Sequence, residues 1–346
     1  MAKQKTDERL STRLSSDTLL EMYWKMLLSR RVDERAWVLH RQGKIPFHIS
    51  AMGHEGCQVG AAFAINRGVD YVNPYYRDLA LVIALGITPT QFMISLFGKA
   101  GEYSSGARQM PSHFGFKALN IISGSAPVAT QVPQSAGLAF AIKYRQQMKL
   151  VDPNDESHPR LALTCLGEGS TSQGEWHEGM NWAGVHKLPF ICMVQNNEYA
   201  ISVPMESQMA VSNVADRAAA YGVKGVVVDG NDVLACYEVM KEAAERAYNG
   251  DGATLIEAKT YRITPHSSDD DDRTYRSREE VEAWKKKDPI LRFQKILLME
   301  NVLTQAVIDD YEARAKAEVD AAQVEAEAAP YPAPEAALGD VYAPAE

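Results

Sequence analysis

Apolar runs of strand length alternate with segments of helical composition through the middle of the chain. The runs 161–166 (LALTCL) and 189–194 stop at a glycine or at polar residues, as buried parallel strands do, and 171–187 between them has helical composition. The pattern continues downstream with a strand and turn, a helix and a strand at 226–230, 232–249 and 254–261. This alternation predicts an α/β fold, a doubly wound, mainly parallel sheet flanked by helices.

Helical periodicity also marks the two ends of the chain. Residues 18–42 carry apolar positions at helical spacing, with Asp17 as the expected cap. The tail from Gln305 is rich in Ala and Glu and is predicted to be helical, and at Pro330 it changes to a Pro/Ala-rich end that we expect to be flexible or bound to a partner. The predicted organisation is a flexible segment 1–16, an α/β domain 17–300 and a helical and Pro/Ala-rich extension 301–346.

A long irregular segment interrupts the regular pattern. Residues 101–130 are rich in Gly, Ser and Pro, whereas helices are predicted at 54–66, 78–87 and 129–147. A loop of this length in a compact domain is usually functional or disordered. The length of this segment therefore leaves a functional loop and a disordered one as the two expectations.

The composition of the chain argues against several classes of function. The chain has 346 residues and a net charge of −9, without a Lys/Arg cluster, which argues against a nucleic-acid partner. The four cysteines have neither CxxC nor zinc spacing, which favours buried free thiols: Cys57, Cys165, Cys192 and Cys236. Neither a secretory signal nor a membrane span is recognisable, so we expect a cytoplasmic protein with no membrane partner.

Two candidate metal ligands follow neighbouring strands of the predicted sheet. Glu168 comes after the strand 161–166 and Asn197 after the strand 189–194. Both strands point the same way in a βαβ unit, so these side chains emerge at the same edge, where open α/β sheets bind ligands. Oxygen ligands suit Mg²⁺ together with the phosphates of a cofactor. Gly169 and Ser170 are expected to open the following helix, whose free N–H groups would attract phosphate.

These residues carry a resemblance to a known family. A Gly-Glu-Gly turn at 167–169, followed about 30 residues later by Asn196-Asn197, resembles the thiamine diphosphate motif. The similarity extends from about residue 22 to 293, through the segments GARQMPSHFG, HEGMNWAGVHKLP, NNEYAISVP and YRITPHSSDDDD. These segments resemble the α subunits of bacterial branched-chain 2-oxo acid dehydrogenase E1 enzymes, which use thiamine diphosphate and Mg²⁺.

The resemblance implies a role for each matching residue. Glu168, Asn197 and the backbone oxygen of Tyr199 would bind Mg²⁺, although Glu168 by itself could be only a helix N-terminal acid. Tyr76 and Arg77 would contact the diphosphate, although Arg77 could instead be a surface residue paired with Asp78. The remaining cofactor contacts would be Val128, Gly169, Ser170, Gln195 and His266.

His266 is also the expected catalytic residue. It follows the end of a predicted strand and matches a family histidine that contacts cofactor phosphate and the reacting centre, so we expect it to handle protons near neutral pH. The aspartates that follow it would repel a diphosphate unless they point away or are offset by Arg273 and Arg276. Ser267 matches a regulatory phosphorylation site of animal relatives, but its modification is not predicted here.

The loops are expected to form the substrate end of the site. Phe47 matches an aromatic that lines the acyl pocket, and Tyr76 and Ser267 are the other expected substrate contacts. Segment 125–131 resembles a loop that supports the bent cofactor and binds K⁺ in some members, with Val128 as an apolar wedge. Two positions depart from animal relatives: Ala126 replaces a serine and Gln195 an arginine. Weaker substrate candidates are Met110, Ser112 and His113.

The resemblance also implies partners. Enzymes of this kind need a second domain whose glutamate polarises the aminopyrimidine ring, and the sequence after residue 293 is too short for another such sheet. We expect a separate E1 β subunit, an α2β2 heterotetramer, and an E2 acyltransferase whose lipoyl group takes the acyl group from a small 2-oxo acid. The nearest alternative is the α subunit of a pyruvate or acetoin dehydrogenase E1. A nucleotide-binding or structural subunit is disfavoured, because no GxGxxG follows a strand.

Overall fold

The computed structural model describes residues 14–152 and 154–339. The prediction of a flexible segment at 1–16 therefore falls mostly outside the described residues, as does the end of the predicted tail. Within the described part, no helix combines the length and apolar composition that crossing a bilayer requires.

A parallel sheet of five strands forms the centre of the molecule and confirms the predicted fold class. The strands of the described chain are β1 (Tyr71–Asn73), β2 (Ala162–Gly167), β3 (Phe190–Asn196), β4 (Tyr199–Ala200), β5 (Val203–Pro204), β6 (Lys224–Asp229) and β7 (Thr254–Lys259). The order in the sheet is β1-β2-β3-β7-β6, and every neighbouring pair is parallel. A two-stranded hairpin, β4 and β5, follows β3.

Helices cover both faces of this sheet, as a doubly wound fold requires. Their bounds are α1 (Ser16–Arg41), α2 (Glu55–Ala64), α3 (Leu79–Leu85), α4 (Pro89–Phe97), α5 (Gln131–Gln147), α6 (Gly174–Val185), α7 (Val233–Tyr248), α8 (Arg278–Lys285), α9 (Pro289–Met299) and α10 (Gln305–Ala328). Alternation along the strands assigns each side chain to one face. Leu163 and Ile191 join the core under α1–α4, α7, α9 and α10, whereas Ala162 and Phe190 join the core under α5 and α6.

Several local expectations need correction. The cap of α1 is Ser15, whose Oγ accepts a hydrogen bond from the backbone N of Thr18 at 3.1 Å, and Asp17 lies inside the first turn. Helix α4 was not predicted, although Thr88 forms a capping box with Gln91 and Pro89 occupies the first turn. The irregular character of 101–130 is confirmed, since its helical content in the described chain is one 3₁₀ turn at Lys117–Leu119.

The C-terminal extension packs on the rest of the chain. Helix α10 is present as predicted, and it buries Ile308 and Val319 in the same core as α1. The tail beyond it, expected to be flexible or bound to a partner, packs on the loop after α4 as far as residue 339. Pro330 accepts a hydrogen bond from Ala100 N at 2.9 Å, and the carbonyl oxygen of Ala336 accepts from Arg108 Nη2 at 2.6 Å.

Candidate active site

A cavity of about 440 Å³ opens at the carboxyl ends of β2, β3 and β7. Neighbouring strands supply its floor, and the loops around residues 47, 110 and 126 supply its walls. Most of the residues that the sequence singled out line this one cavity: Phe47, Tyr76, Arg77, Val128, Glu168, Gly169, Ser170, Asn197, Tyr199 and His266.

The two candidate metal ligands lie side by side at the sheet edge. The register of β2 and β3 pairs Gly167 with Gln195, so the two chains leave the sheet together. Asn197 N donates to Glu168 Oε2 at 3.3 Å. Both side chains are buried, and burial raises the pKa of the Glu168 carboxyl above its usual value. Within the described chain Glu168 has no ion-pair partner, so a buried acid is left for a cation to neutralise.

The backbone after Asn197 turns sharply and exposes the carbonyl oxygen of Tyr199. Glu198 has φ +73°, in the left-handed region that non-glycine residues rarely adopt. Tyr199 N donates to Asn197 Oδ1 at 3.3 Å, which closes the turn. The Tyr199 oxygen accepts from Arg262 Nη1 at 3.3 Å and keeps a second lone pair. Glu168, Asn197 and Tyr199 all line the cavity, and each carries an oxygen atom of the kind that binds Mg²⁺.

The turn after Glu168 differs from the expected helix start. Residues 168–172 form a short 3₁₀ turn, and α6 begins only at Gly174. Thr171 Oγ1 donates to the Glu168 carbonyl at 2.6 Å, and Gln173 is extended, which ends the turn before an α-helix can form. Gly169 and Ser170 do line the cavity. They do so from this turn and not from the first turn of a long helix.

Arg77 is a buried cation without a carboxylate partner in the described chain. Its Nη1 donates to the Ser50 carbonyl at 2.7 Å, and its Nη2 donates to the carbonyl oxygen and Nδ1 of His266 at 2.8 and 3.0 Å. The alternative of a surface pair with Asp78 is wrong. Asp78 is itself buried and accepts from Tyr75 N at 2.9 Å.

The contact with Arg77 determines the state of the His266 ring. Because a guanidinium only donates, Nδ1 of His266 accepts and the proton of the neutral ring lies on Nε2. Burial and the charges of Arg77 and Arg262 lower the pKa of His266 to about 4. The expectation that this histidine titrates near neutral pH is therefore wrong for the protein without cofactor, in which the ring is a neutral donor.

The acidic run after His266 is largely offset, as anticipated. Asp271 pairs with Arg273 and Asp272 with Arg276, each at 2.6 Å. Asp270 accepts from the backbone N of His266 at 2.7 Å and also from the hydroxyl of Tyr275. These contacts fold the run into a loop that holds the histidine.

Arg262 is a functional candidate that the sequence interpretation missed. It is buried, lines the cavity and has no ion pair within the described residues. Its Nη2 donates to the Ile201 carbonyl at 2.5 Å and to the Tyr275 hydroxyl at 2.9 Å, and its Nε finds no acceptor in the part of the chain that the structure describes. An arginine just after a buried strand, on the same edge as His266, was the signal that could have identified it.

Two predicted residues lie away from the cavity wall. Gln195 is still inside β3, where its Nε2 donates to Asp78 Oδ1 at 2.5 Å and its Oε1 accepts from Gln58 at 2.9 Å. The expected phosphate contact of Gln195 is therefore wrong for this conformation, because both ends of its amide are used. Ser267 also does not line the cavity, since its Oγ accepts from Asp269 N at 3.3 Å and caps the turn after His266.

Part of the cavity lining is apolar. Phe47 is joined there by Ile49 and Ile201, which the sequence interpretation did not single out, and by Met110 and Val128. Of the weaker candidates, His113 lines this cavity and Ser112 a smaller adjoining one. The site therefore combines a polar floor with an apolar wall, a composition that suits a ligand with a charged and an aliphatic part.

The charges of the floor fit a metal-bound diphosphate. Arg77 and Arg262 are two buried cations, and Glu168 is a buried acid. None of them forms an ion pair within the described chain, an arrangement that is costly unless the missing charges come from a ligand. Guanidinium groups suit phosphate oxygens, and carboxylate and amide oxygens suit Mg²⁺.

Comparison with known proteins identifies one family and several similar proteins that agree with it. The model of the dehydrogenase E1 component family matches residues 23–335. The chain is 50% identical over 342 residues to the 2-oxoisovalerate dehydrogenase subunit alpha of Bacillus subtilis, covering 98% of this chain and 99% of that protein. It is 38% identical to the 3-methyl-2-oxobutanoate dehydrogenase subunit alpha of Mycobacterium tuberculosis, covering 90% and 78%. It is 36% identical to the pyruvate dehydrogenase E1 component subunit alpha of Staphylococcus aureus, covering 93% and 81%.

Proposed function

The chain belongs to the dehydrogenase E1 component family, and from this premise we propose that it is the α subunit of a branched-chain 2-oxo acid dehydrogenase E1. With a β subunit it would decarboxylate branched-chain 2-oxo acids and transfer the acyl group to a lipoyl group on an E2 acyltransferase. The supporting relative is the 2-oxoisovalerate dehydrogenase subunit alpha, at 50% identity over nearly the whole of both chains.

The unpaired charges at the cavity floor are the observation that carries this proposal. Arg77 and Arg262 would hold the diphosphate of thiamine diphosphate, and Gly169 and Ser170 would line the diphosphate-binding site. Glu168, Asn197 Oδ1 and the Tyr199 carbonyl would hold a Mg²⁺ ion, which would neutralise part of the charge of the diphosphate. When bound, thiamine diphosphate supplies a carbanion-stabilising electron sink for decarboxylation of a 2-oxo acid.

The remaining residues would orient the substrate and move a proton. His266, with Nδ1 fixed by Arg77, offers the Nε2 proton to the oxygen of a bound oxo acid or to a phosphate. A nearby diphosphate would raise the pKa of His266 from its low value, because it adds negative charge beside the ring. Tyr76 packs edge-on against His266 at 6.5 Å between ring centroids and would limit its rotation.

A potassium ion is proposed at the loop 125–131. The hydroxyls of Ser125 and Thr130 each donate to the Pro127 carbonyl, at 3.2 and 3.1 Å, so three oxygen atoms are grouped there. Oxygen atoms are the usual ligands of hard cations. Bound K⁺ would stiffen the loop that presents Val128 to the cofactor.

The β subunit is proposed as the partner that completes the site. An exposed apolar strip supports this partner, since soluble chains rarely leave several large apolar side chains together in water. Phe140 and Trp182 are 38% and 45% exposed, with ring centroids 5.7 Å apart, and Val185 is 68% exposed. An α2β2 heterotetramer would cover this strip and supply the glutamate that acts on the aminopyrimidine ring.

A turnover assay tests the whole proposal. The chain, a candidate β subunit and their mixture would each be assayed for decarboxylation of 3-methyl-2-oxobutanoate and of pyruvate, with thiamine diphosphate and Mg²⁺. We expect activity only in the mixture, with the higher kcat/KM on the branched acid. Activity of the isolated chain would refute the shared site.

Pyruvate is included because the alternative function is that of the α subunit of a pyruvate or acetoin dehydrogenase E1. The pyruvate dehydrogenase α subunit of Staphylococcus aureus is 36% identical to this chain. The apolar wall formed by Phe47, Ile49 and Met110 favours a larger acyl group, although one methylene contributes only about 1–3 kcal/mol to discrimination. A preference for pyruvate would assign the chain to the pyruvate or acetoin branch of the family.

A further inference from the structure

His54 is a buried histidine that contacts Asn197, one of the proposed Mg²⁺ ligands, and the proposed function assigns it no role. His54 precedes α2 and is fully buried. Its Nδ1 lies 3.2 Å from the Ala51 carbonyl oxygen, and its Nε2 lies 3.1 Å from Asn197 Nδ2. A carbonyl oxygen only accepts, so Nδ1 carries the proton of the neutral ring. Nε2 is then a bare acceptor for the Asn197 amide.

This hydrogen bond decides which end of the Asn197 side chain is available to a metal. An asparagine amide has an oxygen at one end and NH₂ at the other, and only the oxygen binds a cation. With Nδ2 donated to His54, Oδ1 is the available end, and among the described residues it accepts only from Tyr199 N at 3.3 Å. The reversed amide would bring Oδ1 against the bare Nε2, two acceptors face to face.

We propose that His54 is a positioning residue that holds the Asn197 amide with its oxygen toward the metal. The inference rests on the proposed function, because it takes Asn197 as a Mg²⁺ ligand. His54 never touches the metal or the substrate in this arrangement. It removes the need to order the amide when Mg²⁺ binds, and so it increases the affinity for the ion.

The loop that carries His54 is fixed before any ligand arrives. Asp33 Oδ2, buried on α1, accepts from Ala51 N at 2.7 Å and from Ser50 Oγ at 3.0 Å. Gly53 has φ +97°, and a Cβ at that position would lie 2.1 Å from the Tyr261 carbonyl oxygen. Residue 53 must therefore be glycine for the loop to pack this closely, and the packing presents the imidazole to Asn197 in one orientation.

Two substitutions test the role of the acceptor. In the assembled complex with the β subunit, Mg²⁺ would be titrated at a fixed concentration of thiamine diphosphate and binding followed by calorimetry. We expect His54→Met, which keeps the volume and replaces the ring nitrogen by a weak thioether acceptor, to weaken Mg²⁺ binding about 10–100-fold. His54→Gln, which can place an amide oxygen near Asn197, should stay within about threefold of the wild-type affinity. At saturating Mg²⁺, kcat should match the wild type in both variants.

His48→Met is the matched control. His48 is equally buried in the same loop, where its Nε2 lies 2.7 Å from Asp33 Oδ1, and it does not touch Asn197. We expect this variant to lower the melting temperature while leaving the Mg²⁺ affinity unchanged. An equal loss of affinity in His48→Met and His54→Met would overturn the proposal, because the effect would then come from loop packing.

The remaining outcomes separate this inference from the proposed function. A wild-type complex without Mg²⁺-dependent cofactor binding would overturn both. Equal Mg²⁺ affinity in the wild type and His54→Met would overturn only the role of His54. Should His54→Met fail to assemble, nitrogen NMR of the wild-type complex with labelled histidine decides, with the His54 signals assigned by difference against His54→Gln. A proton on Nδ1 supports the proposal, and a proton on Nε2 overturns it.

Discussion

The floor of the cavity comes from residues at the ends of strands, whereas much of its wall comes from a segment without regular secondary structure. Glu168 and Asn197 directly follow paired parallel strands, so the sheet register sets the distance between them. Met110, His113 and Val128 come from 101–130, a segment with almost no regular structure in the described chain. The floor is positioned by the core of the molecule, whereas the wall depends on local hydrogen bonds.

Two sets of hydrogen bonds in the segment 101–130 illustrate how it is held, one of them local and the other made with the distant C-terminal tail. The carboxylate of Glu102 accepts from the backbone N of Ser104, Ser105 and Ala107, at 2.9, 2.6 and 3.1 Å. Arg108 holds the C-terminal tail through the Ala336 carbonyl. The comparison suggests that substitutions at the floor abolish function and that changes at the wall tune it. Four experiments, from the largest expected effect to the smallest, would break or sharpen this contrast.

Asn197→Ala should have the largest effect. It removes a proposed metal ligand from the floor without disturbing β3, so we expect no detectable decarboxylation at cofactor concentrations that saturate the wild type. The melting temperature of the complex without cofactor should change little. Steady-state assay and calorimetry of the same preparation measure both. A folded and fully active variant would remove Asn197 from the metal site.

His266→Gln should lower kcat by about 10²-fold or more, because it removes the proposed proton donor. Its effect on stability should depend on pH. The folded-state pKa of His266 is about 4 and the ordinary value is 6.5, so between these values the unfolded chain binds more protons and stability rises with pH.

The stability difference between this variant and the wild type gives the test. Without cofactor, the variant should gain stability relative to the wild type as the pH falls from 6.5 to about 4, and the difference should be constant above that window. Urea unfolding at several pH values measures it. A difference independent of pH across the whole range would contradict the low pKa of His266.

Phe47→Ala should act on specificity more than on turnover. It shortens the apolar wall, and a lost aliphatic contact of this size is worth about 1–3 kcal/mol, or roughly 10–200-fold in relative kcat/KM. We expect the ratio of kcat/KM for 3-methyl-2-oxobutanoate over pyruvate to fall, mainly through KM. Competition assays with both acids provide the ratio. An unchanged ratio would exclude Phe47 from the acyl pocket.

Removal of the tail after Ala329 should have the smallest effect. It deletes the carbonyl that accepts from Arg108, and such hydrogen bonds contribute about 0.5–1.5 kcal/mol each, so KM should rise about 2–10-fold with kcat unchanged. The Mg²⁺ affinity should stay at the wild-type value, since the floor is untouched. A loss of Mg²⁺ affinity would show that floor and wall are coupled.

The difference between the floor and the wall also explains which features of the fold and of the site could be predicted from the sequence. The fold class and the positions of Glu168 and Asn197 were predictable, because apolar runs mark parallel strands and the ends of such strands share one edge. His266 could be placed on the cavity for the same reason. Its low pKa could not be predicted, because it depends on burial in the folded chain and on the charge of Arg77, which comes from a distant position in the sequence, as well as on the nearby Arg262.

The errors have equally specific causes. Gln195 is only two residues before Asn197, yet it lies inside β3, paired with Gly167 and Ala258, and its amide is used beneath the cavity. Ser267 follows His266 directly, but the turn there uses its hydroxyl as a cap. The start of α6 was misplaced because Thr171 and Gln173 end a 3₁₀ turn, a local preference that composition does not reveal.

The most direct test of the proposed metal site is whether Glu168, at the end of β2, makes the binding of thiamine diphosphate depend on Mg²⁺. Calorimetry of thiamine diphosphate binding to the complex with the β subunit, with Mg²⁺ present or removed by a chelator, would compare the wild type, Glu168→Gln and Glu198→Gln. Glu198 is the matched control, since it lies beside the site without lining the cavity. We expect tight, Mg²⁺-dependent binding in the wild type and in Glu198→Gln, and its loss in Glu168→Gln. Unaltered Mg²⁺-dependent binding in Glu168→Gln would contradict the proposed metal site.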